Sequence, residues 1–116
     1  MMSDAPDTTG PFDYATAFSR TIGWITRAEQ AKLRSRRVAI AGLGGVGGSH
    51  LLTLTRLGIQ SFNLADLDRF GTENFNRQAG AFQSTIGQPK IDVVSRMARD
   101  INPDLDINKF PGGVNL

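Results

Sequence analysis

Val38-Ala39-Ile40-Ala41-Gly42-Leu43-Gly44-Gly45-Val46-Gly47-Gly48 is the stretch that decides the fold. Four apolar residues that stop at a glycine read as a buried parallel strand. Gly42, Gly44 and Gly47 then satisfy G-x-G-x-x-G, and a helical pattern runs from Val46 to Leu57 with Gly58 as its C-cap. The first glycine permits a tight turn, the second lets backbone approach a phosphate, and the third lets helix pack on strand. The helix start offers free N–H groups and a positive dipole end to an anion. Phe62-Asn63-Leu64-Ala65 reads as a second strand. Asp66 ends it about 20 residues beyond the glycines, where an acid accepts the ribose hydroxyls of a nucleotide. Strand, glycine turn, helix, strand and acid, in this order, describe a Rossmann-type site.

Working outward, Thr26 followed by Glu29 is a capping-box pattern that opens a helix over Arg27 to about Arg34, with Ile25 as its staple residue. Before it, Phe12, Tyr14, Ala15 and Phe18 recur at helical spacing up to about Arg20, and Trp24 is expected to anchor packing. Residues 1–11 read as a flexible arm, which leaves 12–116 as one partial domain. Downstream of Asp66 comes a loop of about ten residues rich in Asp, Asn and Arg, a place where function concentrates. Pro89 then starts a helix with the stripe Ile91, Val94, Ala98 and Ile101, which Asn102-Pro103 ends. Leu105, Ile107 and Phe110 suggest a third strand. The order α-α-β-α-β-α-β implies an α/β fold: a Rossmann-like parallel sheet with helices on both faces, preceded by two short helices. Such halves place their strands 3-2-1, so Val38–Ala41 should lie at an edge.

Composition narrows the classes. The 116 residues are 40% apolar and 21% charged, ordinary soluble usage for a single domain. A net charge of +2 is too small to argue for nucleic acid. The basic run Lys32, Arg34, Arg36 and Arg37 falls at a helix end, where cations offset the dipole. Without cysteine there is no disulfide scaffold, thiolate zinc site or thiol nucleophile in this chain. No apolar stretch has the length of a membrane span and no secretory leader is visible, so a cytoplasmic protein is expected. His50 has no ligand-type neighbours in its helix and reads as structural, and no metal ligand is assigned.

The glycine turn suits a dinucleotide such as NAD or a mononucleotide such as ATP. Asp68, Asn74, Arg77, Gln78 and Lys90 bear on the choice, because the strand C-terminal ends that carry them face the nucleotide. Two cations beyond the glycine turn exceed what NAD needs and suit a triphosphate, where guanidinium and ammonium groups stabilise a leaving pyrophosphate.

Gly42-Leu43-Gly44-Gly45-Val46-Gly47-Gly48, Ala65-Asp66-Leu67-Asp68, Asn74-Phe75-Asn76-Arg77-Gln78 and Ile86-Gly87-Gln88-Pro89-Lys90 resemble, in order and spacing, the ThiF/MoeB/HesA family, relatives of the ubiquitin-activating enzymes. Phe18-Ser19-Arg20 resembles that family's N-terminal arginine segment. The resemblance implies the N-terminal, ATP-binding half of a larger domain. It implies that Gly42, Gly44, Gly45 and Gly47 cradle the phosphates and that Asp66 binds ribose. Asp68, Asn74 and Gln78 support the site, and Arg77 and Lys90 hold the triphosphate. Arg20 would reach a partner's site in trans, so a homodimer or an assembly with a larger chain is expected. The implied reaction is ATP-dependent adenylylation of a carboxylate, the C-terminus of a ubiquitin-like or sulfur-carrier protein. Mg²⁺ is implied too, its ligand supplied by the second half. The alternatives are an NAD(P)-binding oxidoreductase half and a non-catalytic nucleotide-binding remnant.

Overall fold

A computed structural model describes residues 11–113; the arm expected over 1–11 lies almost wholly outside them. Three parallel strands, β1 (Arg37–Ala41), β2 (Ser61–Ala65) and β3 (Asp106–Phe110), form one sheet with β2 in the centre. Four helices accompany them: α1 (Tyr14–Ala17), α2 (Arg27–Ser35), α3 (Val46–Leu57) and α4 (Lys90–Ile101). Register pairs Val38 with Phe62 and Ile40 with Leu64 across β1 and β2, and Phe62 with Ile107 across β2 and β3. The strand order 3-2-1 therefore stands as expected.

The core lies on one side of this sheet. Phe62 and Leu64 are fully buried and meet Leu51 of α3 and Ile91, Val94 and Ala98 of α4. The two helices also pack against each other. Crossovers of the usual right hand that step the same way across the sheet land both helices on the same face. Of the two faces for which helices were expected, the described residues cover that one. The other face carries Ala39, Ala41, Asn63 and Ala65, and a 380 Å³ basin lies there with Phe110 and Gly113 on its rim. A salt bridge between Arg37 and Asp106 crosses its lower end.

Phe110 and Trp24 differ from their sequence reading. Phe110 is half-exposed on the open face, whereas Leu105 is core. Residues five apart on a strand fall on opposite faces, so Phe110 cannot share the alternation of Leu105 and Ile107. Trp24 is 91% exposed and anchors nothing among the described residues; it sits on a turn closed by the Ile22–Ile25 bridge, outside every packed layer.

The N-terminal helices tie on at the lower end of the sheet. α2 starts with the expected capping box, Thr26 and Glu29 each taking the other's backbone N–H. The first helix is shorter than the sequence suggested, and Ser19–Thr21 continues it as a 3₁₀ turn. Tyr14 donates its hydroxyl to the carbonyl of Gly58, the left-handed C-cap of α3, at 2.6 Å. Burial pushes the Tyr14 pKa upward, which keeps the phenol a neutral donor, while Arg34 stacks on its ring. None of the described helices is long and apolar enough to cross a membrane.

β1 has β2 on one side and no described strand on the other, and unpaired edge groups next to an open apolar face invite another chain. The chain alone is expected to sediment as oligomers whose proportion grows with concentration. A concentration-independent monomer with slowly exchanging amides on both sides of β1 would show that the edge closes by other means.

Candidate functional site

The site forms where β1 and β2 end. Gly42 turns the chain out of β1 with φ +87°, a conformation that a side chain would strain. Gly45, the N-cap of α3, has φ +52°, and no side chain caps the helix start. The first N–H groups of α3 thus have the geometry of an anion site. Gly47 is needed for contact: a Cβ there would stand 1.7 Å from the Gly42 carbonyl oxygen. Gly44 differs from the sequence reading in its immediate cause. A Cβ on it would stand 3.0 Å from both amide atoms of Gln78 and from Lys90 Nζ, so two side chains occupy the space that a residue there would fill.

Asp66 holds this turn in place. Its Oδ2 accepts the Leu43 N–H at 2.5 Å and its Oδ1 accepts the Asp68 N–H at 2.6 Å. Leu43, an unspecified position in the glycine pattern, is 1% exposed and belongs to the core; its apolar side chain inside a glycine run was the available signal. Each carboxylate oxygen keeps a second acceptor direction for a ligand hydroxyl. Beside it lies a 230 Å³ crevice lined by Ala41, Gly42, Ala65, Asp66, Leu67, Asp68 and Gly113. Asp68 is exposed at its mouth.

The segment from Leu67 to Pro89 is longer than the loop of about ten residues expected, and 3₁₀ turns at Thr72–Asn74 and Gln83–Thr85 order it. Two stretches of it clasp each other antiparallel. Phe70 N–H donates to the Gln88 carbonyl, Gly87 N–H to the Phe70 carbonyl, and Lys90 N–H to the Asp68 carbonyl, at 2.8–3.0 Å. This clasp carries Lys90, first residue of α4, back to the glycine turn. Asn74 is buried and shapes the intervening turn, accepting the Gly71 N–H through Oδ1 and the Gln78 N–H through its carbonyl. Gln78 follows from that turn over Gly44.

Lys90 is 7% exposed and forms no ion pair among the described residues; Phe70 lies beneath its ammonium with the ring centroid 5.7 Å away. Gln78 is 8% exposed, and its Oε1 is buried with no hydrogen-bond partner among the described residues. Arg77 is exposed and donates to the Glu73 carbonyl and Asn76 Oδ1 rather than to a carboxylate. Gly42, Gly44, Gly45, Gly47, Asp66, Gln78 and Lys90 therefore come together. Arg20 does not join them within one chain: its turn is anchored by Gln30 and Tyr14 near Gly58, the far end of α3. His50 is exposed on α3, and no group of three metal-ligating side chains occurs among the described residues.

The two glycine contacts predict different costs. Gly47→Ala sets a methyl against backbone and should lower unfolding free energy by about 1–3 kcal/mol. Gly44→Ala meets only the ends of side chains and should cost less than about 1 kcal/mol. Chemical denaturation of both variants checks this; equal midpoints would show that the turn yields at either position.

Comparison with known proteins agrees with this geometry. The ThiF family profile matches residues 18–115. The tRNA threonylcarbamoyladenosine dehydratase of Bacillus subtilis is 38% identical over 90 residues, 78% of this chain and 35% of that protein. The molybdopterin-synthase adenylyltransferase of Escherichia coli is 35% identical over 78 residues, 67% of this chain and 31% of its own length. The crystal structure of the E. coli dehydratase TcdA in complex with ATP superposes with a TM-score of 0.81 at 27% identity, over 84% of this chain and 40% of that one. The chain thus spans about a third of these curated relatives. A parallel sheet ordered 3-2-1, the glycine turn and the matched residues carry one conclusion: the chain belongs to the ThiF family.

Proposed function

We propose that this chain supplies the ATP-binding half of a ThiF-type adenylyltransferase. One observation carries the reading: Lys90, only 7% exposed, has no ion pair among the described residues, and its ammonium is set against the phosphate turn beside Gln78 Oε1, which has no hydrogen-bond partner among them. An ammonium in a largely buried side chain, with no counter-charge among the described residues, favours an anionic ligand. A nucleotide triphosphate is such a partner. In this reading Gly44, Gly45 and the start of α3 receive phosphate oxygens, and Asp66 takes ribose hydroxyls with the acceptor directions it has left. Asp68 and Asn74 hold the surrounding turns, and Arg77 closes on the phosphates from the exposed side. The relative solved with ATP supports the ligand class.

The reaction is displacement at the α-phosphate. A carboxylate oxygen of the acyl substrate forms a bond to that phosphorus, the bond to the bridging oxygen breaks, and pyrophosphate leaves with the electron pair. The products are an acyl-adenylate and pyrophosphate. Positioning and charge neutralisation supply most of the acceleration in such transfers, and Lys90 and Arg77 neutralise the charge that grows on pyrophosphate. Arg20 of a second copy completes the site in trans. Asp68, exposed where it lines the crevice, would help hold a Mg²⁺ ion accompanying ATP, which would offset phosphate charge, with a further ligand expected from a second half of the domain.

The acyl substrate is the C-terminus of a ubiquitin-like or sulfur-carrier protein in the reading that the family resemblance implies. A second reading has one observation in its favour. The B. subtilis relative, at 38% identity, is named for a modified nucleoside of tRNA, so the carboxylate there would be carried on RNA. Pyrophosphate exchange separates these possibilities, run on the chain and on a form continued by a second half. Label from pyrophosphate is expected in ATP when a carrier-protein C-terminus or a threonylcarbamoylated tRNA is added, and whichever acceptor supports exchange identifies the substrate. Tight NAD binding with neither ATP binding nor exchange would replace this reading with that of an oxidoreductase half.

A further inference from the structure

The buried cation needs a seat as well as a ligand. Four methylenes separate the Lys90 ammonium from the backbone, and among the described residues no carboxylate holds it. Its position over Gly44 is set instead by what lies under it. Phe70 is 2% exposed, and its backbone is fixed on both sides by the clasp to Gly87 and Gln88. Its ring centroid lies 5.7 Å from Lys90 Nζ, within the range where the negative face of an aromatic ring attracts a cation. The ring in turn rests on Gly80, where a Cβ would stand 2.6 Å from Phe70 Cζ and 3.3 Å from Val93 Cγ1. Gly80 has no left-handed backbone to explain it, so the space for the ring is its reason.

We infer that Phe70, seated on Gly80, is a positioning residue that holds the Lys90 ammonium against the glycine turn for phosphate. This rests on the triphosphate reading above and adds to it a residue that touches no substrate. An alkyl side chain in place of the ring would fill much of the same core but offer the ammonium no negative face, leaving it free to take other rotamers. Binding energy would then fall only for ligands that carry phosphate.

Calorimetry with ATP and with adenosine on the wild-type chain, Phe70→Leu and Gly80→Ala reads this directly. Wild type is expected to bind ATP more tightly than adenosine. Phe70→Leu should weaken ATP by on the order of tenfold while leaving adenosine unchanged. Gly80→Ala keeps the ring but displaces it, and should give the same phosphate-selective loss; it carries the comparison if Phe70→Leu does not fold. Equal weakening of ATP and adenosine, or an unchanged ratio between them, would overturn the inference and leave Phe70 as core packing. Should the wild-type chain bind ATP no better than adenosine, the triphosphate reading itself fails, and that result is distinct from an unchanged ratio in the variants.

Discussion

The Asp66 carboxylate joins two loops that the chain would otherwise have to place separately. By accepting the Leu43 and Asp68 N–H groups it locks the glycine turn to the exit of β2. The Gly42 N–H, bonded to the Ala65 carbonyl at 2.7 Å, extends the β1–β2 pairing into the turn itself. From this junction the rest follows. Leu43 is drawn into the core, α3 starts without a side-chain cap, and the Asp68 carbonyl is set to receive the Lys90 N–H. One side chain thus fixes both walls of the crevice.

Against this rigid frame Lys90 is a local conflict. It stands in the first turn of α4, where the helix dipole disfavours a cation, and it is buried without a counter-charge among the described residues. Local rules broken inside an otherwise consistent fold are expected where function has set the residue. Gln78 Oε1, buried a short distance away with no partner among the described residues, is a second such break. Both relax if anionic and hydroxyl-bearing groups of a nucleotide enter the space over Gly44.

Much of this was readable from residue order. The glycine spacing, the apolar run before it and the acid after Phe62–Ala65 placed β1, α3 and β2 to within one residue, because each boundary has a local chemical cause. The capping box at Thr26 and the stripe on α4 were equally local. What escaped was long-range. The clasp between Asp68–Phe70 and Gly87–Lys90 joins segments 20 residues apart by backbone bonds, which leave no residue signature. The seat of Phe70 on Gly80 is likewise a tertiary contact, and the expectation that Trp24 anchors packing rests on residue type alone. That helices cover one face follows from both crossovers running the same way, a property of topology that periodicity within each element does not carry.

The central claim is that Lys90 is held buried for an anion rather than for stability. Thermal unfolding of Lys90→Met, with and without ATP, tests it most directly, since methionine keeps the length and removes the charge. The account predicts a ligand-free midpoint no lower than that of wild type, since the substitution removes no ion pair among the described residues, together with loss of the stabilisation by ATP. A lower ligand-free midpoint with the ATP stabilisation intact would contradict it and make Lys90 a structural residue.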